Sequence, residues 1–488
     1  MLESRRAGAT SLHMGPSGLL PRRLASRAAG IGALVGLIAV FAGSSSQAQT
    51  LTQALAEAYN NNPQLLAQRA LLRATDEQVP QALAFWRPTV NFTGQVGIAT
   101  SSLEEPGLPT GANSRRFHEI TRPDSLVLQG SQPIYRGGRT EAQTRQAINT
   151  VESTRAQTLA VETQVFQNVA MAYLDVVRDQ ALVEVDRNNV EVLRKQLEAT
   201  QDRFRVGEVT RTDVAQAESS LAQAQGVLVN QQGFLENSRA EYVRAVGHPP
   251  GRLILPRERP VLPATREEAL SLAANNNFSV ISATFAELAA RDNIDVVRGQ
   301  LLPQISVVGN LTRSYDQSVT QKGFLLNSAQ ITAQLTMPLY EGGAIYSQTR
   351  QAQQTVGQRR SQVDDTRRTA VQTATQFWST LQAARASISS FAAAVRAAQI
   401  ALEGVQQEAL VGTRTVLDVL IQNQQLLTTQ SQLVTAQHDA ALAEFNLAGA
   451  VGRLIAPELK LPVRLYDMER HYKEVKDKWI GFAGGLKE

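Results

Sequence analysis

From Arg139 to Val206 the sequence contains neither Pro nor Gly, the two residues that most often interrupt a helix. Within this run apolar residues recur every three to four positions: Ile148, Val151, Leu159, Phe166, Val169, Tyr173, Val177. The positions between them are mostly Gln, Glu, Arg, Asp, Asn and Thr. That spacing predicts one amphipathic helix, roughly 100 Å long at about 1.5 Å per residue. A helix of this length does not fit inside an ordinary globular domain. It calls for coiled-coil packing against similar helices.

The run occurs twice. Pro133-Ile134-Tyr135-Arg136-Gly137-Gly138 falls on Pro338-Leu339-Tyr340-Glu341-Gly342-Gly343. Further on, Val206-Gly207 falls on Val411-Gly412, Thr210 on Thr415, and Asp213-Val214 on Asp418-Val419. Upstream, Asn60-Asn61-Asn62 meets Asn275-Asn276-Asn277, and Pro88 meets Pro303. A repeat of about 200 residues is a duplicated domain-sized unit rather than a short solenoid repeat. The predicted organisation is a first copy over 49–250 and a second over 264–456, with a tail over 457–488. Each copy ends in a long helix hairpin, 139–247 in the first and 344–452 in the second.

Ahead of each hairpin the apolar period shortens from about 3.6 to 2. Val90, Phe92, Val96 and Ile98 alternate with Thr89, Asn91, Thr93 and Gln95. The four predicted strands span 88–100, 125–135, 303–313 and 329–339, and residues 101–124 read as a Gly/Pro/Ser-rich loop. Strands of about ten residues with one apolar and one polar face suit an outer-membrane barrel. Four strands cannot close a barrel, and lipid tolerates no open strand edge, so several chains must share one.

Composition narrows the function further. The chain of 488 residues has no Cys, which excludes disulfides and thiolate metal sites. The five His (His13, His118, His248, His438, His471) form no ligand spacing. The net charge of +4 comes from Arg5, Arg6, Arg22, Arg23 and Arg27 against Glu3, all within residues 1–48. The remainder is neutral, so there is no electrostatic footprint for nucleic acid. That leader, with an apolar run from Ala28 to Ala42 and Ser46-Gln47-Ala48 after it, reads as a cleaved signal peptide, with Met14 an alternative start. No nucleophile–base–acid set and no phosphate loop is present, so the chain does not read as an enzyme, and no cofactor is expected. The rival to a conducting duct is a structural coiled-coil envelope protein or adhesin.

Over about residues 51–456 the chain resembles the TolC family of outer-membrane channel-tunnel proteins. The resemblance rests on the paired turns Val206–Val214 and Val411–Leu420 and on the two Pro-x-Tyr-x-Gly-Gly elements. It implies a membrane α+β fold: a homotrimer with a 12-stranded barrel in outer-membrane lipid, continued by an α-helical periplasmic tunnel. It also implies export of small toxic compounds or proteins, with a periplasmic adaptor and an inner-membrane pump of the RND or ABC type as partners. The tail over 457–488 would lie near the tunnel equator. Pro133, Gly137, Gly138, Pro338, Gly342 and Gly343 would mark strand–helix junctions. The turns at Val206, Gly207, Thr210, Val411, Gly412 and Thr415 would dock the adaptor. Asp213 and Arg414 would form inter-hairpin bonds that close the tunnel, with Asp418 at the narrowed pore. Two departures bear on gating. Ala409 stands where the family's best-known member has a Tyr in its closing network, and Ile421 where that member has a second pore carboxylate. For both Asp the local chemistry leaves a second role open, since each sits in a helix's first turn where a carboxylate favours the dipole.

Overall fold

The two long runs form the helices that carry the architecture, seen in a computed structural model that describes residues 49–105, 115–256, 258–318 and 323–482. The expected signal peptide lies outside the described residues. The first copy opens with α1 (Leu51–Asn61), α2 (Pro63–Asp76) and α3 (Gln78–Leu83). Strands β1 (Thr89–Val96), β2 (Ala99–Glu105), β3 (Arg115–Thr121) and β4 (Asp124–Arg136) follow. Then come α4 (Arg139–Arg205) and α5 (Arg211–Val246). The second copy gives α6 (Arg266–Asn276), α7 (Phe278–Arg298), β5 (Gln304–Tyr315), β6 (Leu325–Thr336), α8 (Ala344–Leu410) and α9 (Val416–Ala450), and α10 (Arg470–Val475) lies in the tail. α4 and α8 are each 67 residues long and unbroken. Gly357 and Gly404 sit inside α8 without interrupting it.

The same side chains do the same work in both halves. Asn62 caps α2 through its side-chain oxygen, and its amide donates to the Ala245 carbonyl at 3.1 Å. Asn277 caps α7 and donates to the Ala450 carbonyl at 3.0 Å. Each Asn therefore ties the start of a short helix to the end of its hairpin.

The main core gathers around the middle of α4. Phe166, Val169 and Tyr173 pack with Leu51, Leu55, Tyr59 and Leu65 from α1 and α2, with Tyr242 from α5, and with Phe445 and Ala448 from α9. Two buried carboxylates are held there by specific partners. Glu162 accepts from the Ala456 amide at 2.7 Å, which pins the chain after α9 against α4. Glu444 sits between Arg259 and Arg385, each at 2.9 Å. A carboxylate buried without such partners would cost several kcal/mol, so these pairs fix how the elements dock.

Four strands form one antiparallel sheet in the order β1-β4-β5-β6. Its register places one apolar face across all four: Phe92 pairs with Leu128, Leu128 with Leu311, Leu311 with Ala329, and Ile305 with Leu335. The opposite face carries Asn91, Gln129, Asn310 and Gln330 in one row. A bulge between Pro133 and Tyr135 shifts the register by one, which turns Tyr135 onto the apolar face beside Ile305. β1 and β6 are the sheet's outer strands, and β6 is exposed along its whole length.

Two sequence expectations need correction. The first strand ends at Val96, not near 100, and the expected loop over 101–124 contains a second hairpin in which β2 pairs with β3. Its alternation is weak because it stands apart from the four-stranded sheet, with no shared buried face to impose a pattern. The tail does begin near the middle of α4, where the Tyr466 amide donates to the Tyr59 hydroxyl at 2.9 Å. It does not stay there. α10 packs along α2, and the Lys478 carbonyl accepts from Arg87 at 2.6 Å, one residue before Pro88 at the foot of β1.

Candidate functional site: the hairpin tips and the strand–helix junctions

At the first tip α4 stops because Gly207 adopts φ +83°, a left-handed conformation that costs any residue with a Cβ about 1–2 kcal/mol. The Glu208 amide then donates to the Arg203 carbonyl at 2.9 Å, closing the helix end. Three residues on, Thr210 starts α5 with a capping box. Its hydroxyl accepts from the Asp213 amide at 3.3 Å, and Asp213 Oδ2 accepts from the Thr210 amide at 2.8 Å. The second tip repeats this geometry. Gly412 has φ +83°, and the Thr415 amide donates to Asp418 Oδ2 at 3.0 Å. Of the Thr residues available as caps, Thr210 and Thr415 are the ones used, not Thr212 or Thr413.

Both tip carboxylates are therefore engaged with their own caps. Hydrogen bonds from the Thr210 hydroxyl and amide hold Asp213 below the usual carboxylate range. The Thr415 amide and hydroxyl do the same for Asp418. Arg414 turns back along its own hairpin, its Nε 2.9 Å from Glu408, which keeps the guanidinium firmly charged. Among the described residues it makes no ion pair with Asp213. The first tip has a similar clamp, Arg203 to Glu208 at 3.0 Å. Arg203 occupies the repeat position of Glu408, so the two clamps have opposite polarity. Sequence reasoning misses Glu408 and Glu208. An Arg and a Glu flanking each Gly turn were the available signal.

The tips differ in the helix that follows. In α9, Val416 and Leu420 are buried against Val190 and Leu193 of α4 and Ala224 of α5. Asn423 of α9 donates to Asn189 of α4 at 2.7 Å. The second hairpin thus leans on the first through its own first turns. The matching positions in α5 are Arg211 and Ala215, and neither is buried. Val206 and Val411 stand exposed at the two turns.

The junctions also form a related pair. Gly137, Gly138, Gly342 and Gly343 all have positive φ, and Gly138 and Gly343 cap α4 and α8. Gly137 is doubly constrained, since a Cβ there would lie 2.4 Å from the Gly299 carbonyl. At Gly342 a Cβ would meet nothing within 4 Å. The neighbours match this contrast: Leu339 and Tyr340 are 90% and 85% exposed, against 52% and 40% for Ile134 and Tyr135. Pro133 lies at the β4 bulge, and Pro338 lies just past β6. Among the described residues no group of acidic, His or Cys side chains could hold a metal ion, and no helix is long and apolar enough to cross a membrane.

Known proteins resemble this chain in sequence and in fold. The profile of the family described as "Outer membrane efflux protein" matches residues 54–248 and 269–453. The outer membrane efflux protein BepC of Brucella suis is 34% identical over 445 residues, spanning 91% of this chain and 94% of that one. The outer membrane protein TolC of Vibrio cholerae is 28% identical over 418 residues, 82% of this chain and 91% of its own. In fold, the chain superposes on the crystal structure of the Campylobacter jejuni CmeC outer membrane channel with a TM-score of 0.73 at 15% identity, covering 88% of this chain and 89% of the other.

Proposed function

The chain belongs to the outer membrane efflux protein family, and on that footing we propose that three copies form the outer-membrane export duct of a tripartite efflux or type I secretion system. Residues 1–48 direct export and are removed. Four strands from each chain close one barrel of twelve, with the apolar face toward lipid and the row through Asn91, Gln129, Asn310 and Gln330 lining a water-filled pore. The long hairpins continue the pore into the periplasm. Their turns at Gly207 and Gly412 present the notch for a periplasmic adaptor, which couples the duct to an inner-membrane pump. Asp213, Arg414 and Asp418 narrow the tunnel end. The β2–β3 hairpin and the β5–β6 connection, at the sheet end away from the helices, face outside the cell. The duct passes small toxic compounds or proteins and performs no chemistry on them.

The observation that carries this reading is the alignment of apolar residues in one row across all four strands of a sheet whose two edge strands are unpaired. A water-soluble hairpin pair has no reason to extend such a face to both of its open edges. Planar-bilayer recordings of the purified protein test it. Discrete, ohmic single-channel steps are expected. A protein that inserts and never conducts is instead a structural envelope protein.

A further inference from the structure

The proposed function leaves the end of the tail without a role. Trp479, Ile480 and Phe482 are among the most exposed apolar side chains of the molecule, at 66%, 91% and fully exposed. They do not dangle at random. α10 is held to the body by Val475, which is buried, by His471 against Asp76 at 3.3 Å, and by the Tyr472 ring under Arg155 at 5.1 Å. Arg87 then grips the chain just past α10 twice. Its Nη1 donates to the Lys478 carbonyl at 2.6 Å, and its guanidinium lies 4.8 Å from the centre of the Trp479 ring. Only Pro88 separates Arg87 from β1, so the grip holds Trp479 at the helix-side rim of the sheet. Trp86 and Tyr135 stand at the same rim. The Trp86 carbonyl accepts from Gln132 of β4, and Tyr135 has been turned onto the apolar face by the bulge.

We infer that the segment Trp479–Phe482 is an interfacial anchor that inserts among the phospholipids of the leaflet nearest the helical tunnel. It extends the apolar face of the sheet at its rim, and it rests on the proposed insertion of that sheet in lipid. The chemistry fits a headgroup–acyl boundary and nothing more polar. Trp is the residue most at home at that boundary, where its ring is in the hydrocarbon and its N–H among the headgroups. Ile480 and Phe482 add apolar area beside it, while Lys473 and Lys476 are neutralised by Glu469 and Asp477, so apolar area rather than charge carries the contact. Six residues of helix and one Arg contact thereby place a short peptide where the barrel alone offers Trp86, Tyr135 and Tyr340.

The protein has three Trp, so a Trp86→Phe/Trp378→Phe background leaves Trp479 as sole reporter. The full-length protein is reconstituted in phosphatidylethanolamine–phosphatidylglycerol vesicles whose acyl chains are brominated either near the headgroup or near the chain end. Trp479 fluorescence should fall roughly twofold with shallow bromines and little with deep ones, as for an interfacial Trp. A companion protein lacking all three Trp and carrying Val90→Trp reports the sheet's apolar face. Quenching at Val90→Trp with none at Trp479 would place the tail in water or against a neighbouring subunit and overturn the anchor alone. No quenching at either position would overturn the membrane reading and the anchor with it.

Discussion

The two halves of the duplicated chain build the same parts, but the long helix and second strand of the first half find partners that their repeat counterparts lack. Gly137 sits against the Gly299 carbonyl, while Gly342, its repeat counterpart, faces open space. Arg145 of α4 pairs with Asp292 of α7 at 3.1 Å. The matching positions are Arg350 and Glu77, and these do not pair with each other among the described residues. Strand β4 pairs with β5, whereas β6, the second-half counterpart of β4, ends the sheet. The missing partners are all present on the far side of the same molecule. The counterpart of Gly299 is Ala84, and the counterpart of β5 is β1, the other unpaired edge. In the proposed trimer, the contact between the halves inside one chain would serve as the template for the contact between chains. In the proposed assembly, a rotation that carries β1 of one copy onto β6 of the next would bring Arg350 to Glu77 and close as a ring.

Substitutions at the two junctions separate the template from its copy. Gly137→Ala places a Cβ against backbone inside the chain at a positive φ, so it should cost a few kcal/mol and lower the melting midpoint of the chain by several degrees. Gly342→Ala meets only the left-handed strain of about 1–2 kcal/mol within a chain. Its larger effect should appear in assembly, as a shift from trimer to monomer in native mass measurements with helical content retained. Equal loss of folded chain from both substitutions would mean that the second junction is not an interchain seat.

The tips sharpen the same contrast. Glu408 and Arg414 form a clamp within one hairpin, whereas the family resemblance assigns Arg414 to a bond with Asp213 of another hairpin. Arg414→Glu breaks both and should raise resting conductance several-fold in planar bilayers, because closure is a two-state equilibrium set by small differences. The double reversal Glu408→Arg/Arg414→Glu restores only the internal clamp. If the channel stays leaky, the gate is the bond to Asp213. A return to the parent conductance would make the clamp itself the lock and leave Asp213 as a helix cap.

The smallest effect concerns the join between hairpins. His438 of α9 is buried with Asp175 of α4 at 3.0 Å and Asp439 at 2.9 Å, and Arg178 of α4 lies beside them. Burial alone would lower its pKa, but the hydrogen bonds to the two carboxylates outweigh that and raise it above 6.5. A group whose folded pKa is raised contributes its stability in full below about pH 6.5 and loses it as the pH climbs past the folded value. The melting midpoint should therefore drop by a few degrees from mildly acidic to alkaline pH in the parent, and His438→Gln should flatten that slope. An unchanged slope in the variant would assign it to other groups.

How much of this could be read from residues alone differs by element. The long helices were legible because a run without Pro or Gly leaves the chain no other regular option. The alternation in Ile305–Leu311 and Ile331–Met337 survives because one face of the sheet is apolar over this stretch. The β2–β3 hairpin was invisible, since Ser101, Ser102 and Glu104 carry no two-fold pattern to mark a strand. The caps at Thr210 and Thr415 follow from local spacing, yet the pairing of Arg414 with Glu408 within the hairpin depends on side-chain geometry around a Gly turn. The path of the tail was also hidden. It is set by Arg87, a residue hundreds of positions away, and by pockets for Val475 and Tyr472 that exist only once α2, α3 and α4 have packed.

The most direct test of the closure is the register between chains. Carrying the β4–β5 pairing onto β6 and β1 sets Ala333 of one copy opposite Val96 of the next, as Leu128 is set opposite Leu311 within a chain. The chain has no Cys, so an Ala333→Cys/Val96→Cys protein has no competing thiols. Oxidation in outer-membrane fractions should yield covalent dimers and then a product of three chains on denaturing gels, while Ala333→Cys paired with Val90→Cys should stay monomeric. A monomer from both pairs, or cross-linking from the shifted pair alone, would contradict a barrel closed between chains by the same pairing that joins the two halves within one.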